Sequence, residues 1–149
     1  MRRMAAVLVL AALTVGVFAS VALAASSLVG TDERDVISGT AQGEKILGLG
    51  GDDTLNGFRG KDVVRGGDGP DEMSGGYGAD TIYGNAGNDN LIDAPDKDRD
   101  VVYGGLGNDH VLVRDFPAVK DVIYCGPGTD TAYVDRLDVT KGCERVRLP

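Results

Sequence analysis

Residues Gly66 to Gly84 read GGDGPDEMSGGYGADTIYG, and they say nearly the same thing twice. Gly-Gly-x-Gly-x-Asp runs from Gly66 to Asp71 and again from Gly75 to Asp80, nine residues on. Two positions past each Asp stands an apolar residue, Met73 and then Ile82. Stepping by nine extends the pattern to acids at Asp35, Glu44, Asp53, Asp62, Asp71, Asp80 and Asp89. The apolar partners are Ile37, Ile46, Leu55, Val64, Met73, Ile82 and Leu91. Seven consecutive units keep both features in phase, which is the mark of a repeat architecture.

Beyond Leu91 the period breaks and resumes. Asp100 with Val102 comes 11 residues after Asp89, and Asp109 with Val111 returns to nine. Asp121 with Ile123 follows after 12, and Asp130 with Ala132 returns to nine again. About eleven units therefore occupy residues 30–133, and 134–149 form a short tail.

Each unit divides in two. Six residues rich in Gly, Asn and Asp read as a turn, because these types tolerate positive φ. Three residues such as Thr81-Ile82-Tyr83 read as a short strand with its middle side chain inward. So short a strand buries nothing alone. Coiling the chain stacks every second strand on one wall and encloses one apolar side chain per strand between two parallel sheets. The expected fold is all-β: a parallel β-roll, or β-solenoid, of about eleven nine-residue half-coils.

The pattern resembles the RTX, or haemolysin-type, calcium-binding nonapeptide repeat G-G-x-G-x-D-x-U-x. The units Gly66 to Ser74, Gly75 to Tyr83 and Gly104 to Leu112 match it best. The resemblance implies several Ca2+ ions seated between turns, each bridging a unit and the next but one. The implied ligands are the repeat acids Asp35, Asp53, Asp62, Asp71, Asp80, Asp89, Asp109 and Asp130. With them go the turn backbones at Gly48, Gly57, Gly60, Gly66, Gly69, Gly75, Gly78, Gly84, Gly87, Gly104 and Gly107. The chemistry agrees with the residue types. Calcium takes six to eight hard oxygens in loose geometry, and glycine lets carbonyls approach without a Cβ in the way. Carboxylates stacked about 4.8 Å apart repel one another unless a cation lies between them.

The two sides of the roll differ. One edge carries Asp35, Asp53, Asp71, Asp89, Asp109 and Asp130; the other carries Glu44, Asp62, Asp80, Asp100 and Asp121. Both insertions fall on the second edge, where Pro95 to Arg99 and Phe116 to Lys120 replace glycine turns. The first edge is thus expected to hold an ion column along most of its length. The second should hold ions mainly near Asp62 and Asp80, with Asp121 contributing little. The opening units lack the fourth-position glycine (Glu33 and Gln42) and read as a cap.

Residues 1–24 read as a signal peptide: Arg2 and Arg3, an uncharged apolar run from Ala5 to Val21, then Ala22-Leu23-Ala24 as a cleavage site. A membrane anchor is the competing reading of that run, but no basic stop-transfer flank follows Ala25. The expected product is secreted, extracellular and monomeric, with no transmembrane anchor after processing. Without Arg2 and Arg3 the chain has 13 basic and 23 acidic residues, a formal charge of −10. That sign argues against a nucleic-acid partner.

Cys125 and Cys143 are the only cysteines. Outside the cytoplasm an even count suggests a disulfide, with two free thiols as the alternative. Joined, they would fold Asp135 to Gly142 across the end of the roll as a cap, with Val134, Leu137, Val139 and Val146 covering the last apolar layer. A zinc site is disfavoured, because His110 is the only histidine.

Asp96 to Asp100, DKDRD, fails as an EF-hand twice, with Val101 at the sixth position and Gly107 at the twelfth. A solvated acidic loop, or a supplementary ion at Asp96 and Asp98, remains. Tyr83, Tyr103 and Tyr124 share a strand position and read as an outward ladder. Self-stacking is one use for it; a flat surface for an extracellular glycan or protein partner is the other. No G-x-S-x-G or H-E-x-x-H occurs, and the carboxylates are accounted for by the repeat, so no enzyme is expected. The runner-up is an adhesive module made rigid by calcium.

Overall fold

The computed structural model describes residues 26–149, so the expected signal peptide lies outside the described residues. Fourteen strands follow one another. They are β1 (Ser27–Val29), β2 (Val36–Ser38), β3 (Lys45–Gly50), β4 (Thr54–Asn56), β5 (Val63–Asp68), β6 (Glu72–Ser74) and β7 (Thr81–Ala86). Then come β8 (Asn90–Ile92), β9 (Val101–Leu106), β10 (His110–Leu112), β11 (Val122–Tyr124), β12 (Thr131–Tyr133), β13 (Val139–Lys141) and β14 (Arg145–Arg147). Odd strands form one seven-stranded sheet and even strands the other, every pairing parallel and in sequence order. The chain is a parallel β-solenoid of about seven turns, or 14 half-coils. Among the described residues no helix is long and apolar enough to cross a membrane.

Register follows the apolar phase. Val64 pairs with Ile82, Ile82 with Val102, and Val102 with Ile123, so the two insertions are absorbed in turns and never in strands. A slip of one residue would turn the whole apolar row outward. All eleven apolar repeat positions, Ile37 to Ala132, are buried in one core column. Val113, Cys125 and Val134 join it from just beyond their strands. Burying a large aliphatic side chain stabilises a fold by about 1.5–3 kcal/mol. One such residue per half-coil is a thin core.

The roll is longer than the nonapeptide phase indicates, and its far end differs from the expected cap. Strand β1 adds a half-coil before Gly30. Beyond Tyr133 the chain does not cross the end of the roll: β13 pairs with β11 and β14 with β12, continuing both sheets. Val134 is buried, whereas Leu137 and Val146 are 55% and 44% exposed, so they do not cover a last layer. The physical reason is the backbone. The outer edges of β11 and β12 present unpaired N–H and C=O groups, and another parallel strand satisfies them where a folded-over loop would not. Cys125 and Cys143 do form the disulfide, with Cα atoms 5.1 Å apart.

On the outer face of the odd sheet Tyr83, Tyr103 and Tyr124 stack with centroids 4.8 and 4.9 Å apart and planes within 5°. Arg65 lies over Tyr83 at one end and Lys141 over Tyr124 at the other, 4.6 and 5.0 Å from the ring centroids. The ladder is a self-stacked column closed by a cation at each end.

Candidate metal centre

The turns leading into even strands form the first edge and those leading into odd strands the second, sorting the repeat acids as the periodicity predicts. Along both edges one hydrogen bond recurs. The backbone N–H of Asp53 donates to Asp71 Oδ1 (2.9 Å), that of Asp71 to Asp89 Oδ1 (2.9 Å), and that of Asp89 to Asp109 Oδ1 (3.0 Å). On the second edge Asp62 donates to Asp80 Oδ1 (2.7 Å), Asp80 to Asp100 Oδ1 (2.7 Å), and Asp100 to Asp121 Oδ1 (2.8 Å). Each acid thus clamps the amide of the acid one coil earlier. The ladder ends on acids of the tail, Asp138 beyond Asp121 and Glu144 beyond Asp130.

The second carboxylate oxygen is the informative one. Asp53, Asp62, Asp71, Asp80, Asp89, Asp100, Asp109 and Asp130 each bury Oδ2 without a hydrogen-bond partner. A buried polar group left unpaired costs about 1–3 kcal/mol, and a charged one more. Even a handful outweighs the roughly 5–15 kcal/mol by which a domain is stable.

These oxygens face the first glycine of their own turn. A Cβ on Gly57 would lie 2.6 Å from Asp62 Oδ2, and Cβ atoms on Gly48, Gly66, Gly84 and Gly104 would collide with Oδ2 of Asp53, Asp71, Asp89 and Asp109. The same Cβ positions meet carbonyl oxygens of the next coil: Gly66 O for Gly48, Gly84 O for Gly66, Gly104 O for Gly84. Carboxylate and carbonyl oxygens therefore converge where a side chain would sit. At the fourth turn position Gly69 and Gly78 have φ of +116° and +125°, and a Cβ there would strike the carbonyl of Gly51 or Gly60 one coil back. That position needs glycine on both counts.

Burial raises the carboxyl pKa values, with the amide hydrogen bond opposing it and neighbouring acids adding to it. Asp62, Asp71 and Asp109 rise to about 6, and Asp80 and Asp89 to about 7. Hard, anionic, convergent oxygens fit calcium.

The opening units are different. Asp35 accepts at Oδ2 from the Thr31 N–H (2.5 Å) and hydroxyl (2.9 Å), and Glu44 is held likewise by Thr40. Asp35 Oδ2 is therefore satisfied within its own turn, and these two turns close on themselves, in keeping with a capping role.

The later second edge, where ions are expected mainly near Asp62 and Asp80 with Asp121 contributing little, also gathers buried carboxylates. Two trios of buried carboxylates form on that edge, Asp80 with Asp93 and Asp100, and Asp100 with Asp115 and Asp121, their oxygens within 4.8 Å of one another. Periodicity in the acids missed Asp93 and Asp115, which are out of phase with the repeat aspartates. The available signal was substitution at another phase: Asp93 stands where Gly75 and Gly57 stand one and two coils earlier. Asp96, in the insertion, accepts from the Gly78 and Asp98 amides at 2.6 Å each, so it braces the turns.

A stack of glycine turns that aims buried carboxylates between coils defines a cation-binding β-solenoid. The family model of the RTX calcium-binding nonapeptide repeat matches in four copies, over residues 26–55, 38–73, 65–92 and 96–112, more than half of the chain. The chain belongs to that family, whose repeat roll is typically a non-catalytic calcium-binding module. Among curated proteins none matches the chain.

Proposed function

We propose that this protein is a secreted calcium-binding roll that folds as it takes up ions, and that it has no catalytic role. The observation that carries this reading is the row of buried, unpartnered Oδ2 atoms facing glycine-lined turns. Asp53, Asp62, Asp71, Asp80, Asp89, Asp109 and Asp130 are the proposed carboxylate ligands, with turn carbonyls beside them. Asp35 is a weaker member, because Thr31 occupies its second oxygen. Calcium supplies positive charge between coils that otherwise repel. A chain with a thin core and a charge of −10 beyond its first 24 residues needs that charge to fold. Export is supported by the apolar leader and by the family, whose members are generally secreted.

A calcium titration followed by circular dichroism tests the reading. Sheet signal should be low in chelator and rise with calcium, and magnesium should substitute poorly because it demands tight octahedral geometry. The same sheet content in chelator and in millimolar calcium would refute it.

The tyrosine wall favours a second reading, a calcium-stiffened adhesive surface for an extracellular glycan or protein. We rank it second because the rings spend their faces on one another and on Arg65 and Lys141. Calcium-dependent retention on cell-wall material, lost in Tyr103→Ala, would reverse the order.

A further inference from the structure

Asp93 and Asp115 have no place in a nonapeptide turn, yet both are buried. We propose that the second edge holds two adjoining cation sites of a different kind from the glycine turns. One is built by Asp80, Asp93 and Asp100, the next by Asp100, Asp115 and Asp121. The inference rests on the reading that the roll binds calcium, and adds sites built of side chains.

Asp93 carries the argument. It is 4% exposed, and both its carboxylate oxygens are buried without a hydrogen-bond partner. It replaces a turn glycine, and the glycine that remains below it makes the room. A Cβ on Gly75 would lie 2.6 Å from Asp93 Oδ1 and 2.8 Å from Asp80 Oδ2, so those two oxygens share the space over Gly75. Oδ2 of Asp80, Asp100 and Asp115 is also unpartnered. The other oxygens are already engaged: Oδ1 of Asp80, Asp100 and Asp121 each clamps a backbone amide, and Asp115 Oδ1 accepts from the Asp96 N–H at 3.0 Å. The acids are thus held with their free oxygens turned toward one another. Five carboxylates oppose the four positive charges of two divalent ions.

The location fits a structural purpose. Both trios lie where insertions interrupt the period, so an ion there joins coils that have lost their glycine turns. A site with three carboxylates carries more charge than a turn built largely of backbone carbonyls, and ligand charge raises calcium affinity. These sites should fill first.

The competing account is a proton: Asp93 protonated and donating to Asp100. Asn imitates a protonated Asp in shape and charge, so Asp93→Asn separates the two. The experiment is equilibrium dialysis of calcium against the oxidised chain from Ala25 onward, with Asp115→Asn as an independent variant and Asp71→Asn as a first-edge reference. Asp93→Asn and Asp115→Asn should each lose one bound ion, from the tightest class, and the double variant two. Unchanged stoichiometry in both single variants, with Asp71→Asn still losing ions, would overturn this inference and leave the calcium roll standing. A parent chain that binds no calcium would instead remove the underlying reading.

Discussion

Asp71 gives one carboxylate oxygen to the backbone amide of Asp53, 2.9 Å away in the preceding coil, and leaves the other unpartnered against Gly66. One residue thus performs two separable tasks. Asp71→Asn keeps an acceptor for the Asp53 amide and removes the charge. It should lower calcium stoichiometry and weaken the remaining binding. Asp71→Ala should do the same and also strand that amide, costing about 1–3 kcal/mol more. Dialysis together with thermal melts in saturating calcium separates the two losses. Identical melting temperatures for the variants would show that the amide clamp contributes nothing.

Gly84→Ala tests the cradle without touching any charge. The new Cβ would strike Asp89 Oδ2 and the Gly104 carbonyl, the two oxygens proposed to meet an ion. The calcium midpoint should rise at least about tenfold, which corresponds to about 1.4 kcal/mol. An unchanged midpoint would mean that the space beside Gly84 is not used.

The metal-free chain should respond to pH in the direction opposite to ordinary acid denaturation. Burial raises Asp80 and Asp89 to about 7, above the ordinary 3.8, with Asp62 and Asp100 adding to the rise at Asp80 and Asp109 and Asp71 at Asp89. A raised folded pKa means that the folded state holds protons more tightly than the unfolded chain. Its stabilising contribution is complete below about pH 4 and is lost as pH rises through 6 to 7. In chelator, sheet signal should therefore be greater at pH 5 than at pH 8. Calcium should abolish the difference by taking the place of the protons. A chelated chain that gains sheet on going from pH 5 to pH 8 would contradict this sign.

The disulfide should stabilise without binding. Cys125 and Cys143 are 18 residues apart and tie β11 to the turn after β13. Closing a loop of that size stabilises by about 3 kcal/mol in the chain-entropy account. Cys125→Ser with Cys143→Ser should lower the melting temperature in calcium and leave ion stoichiometry intact. Mass analysis after alkylation without reductant checks the parent: two labelled thiols in exported protein would refute the bond.

How much of this was legible in the residues depends on phase. Ile46, Val64 and Ile82 are buried as their period requires, and Asp53, Asp71 and Asp89 line one edge. The tail was not legible. Val139 and Val146 read as cover for an apolar end, but nothing in their order reveals that β11 and β12 have free edges for them to pair with. Asp93 was half legible, since it stands at a glycine phase. Asp115 was not, because it lies 22 residues beyond Asp93 and only the coil places it beside Asp100.

The sequence by itself determined the repeat, the inward row, the two-edged placement of its acids and the need for something to neutralise them. These follow from local rules: a nine-residue period, the alternation of a strand and the tolerance of glycine for tight turns. Tertiary structure alone decided that one oxygen of each repeat acid is spent on a neighbouring amide, that the tail extends both sheets, and that the interrupted edge gathers five carboxylates. Those outcomes depend on contacts between residues 6 to 21 positions apart. Stacked coils bring such residues within hydrogen-bonding or coordinating distance, and no property of either residue alone encodes it.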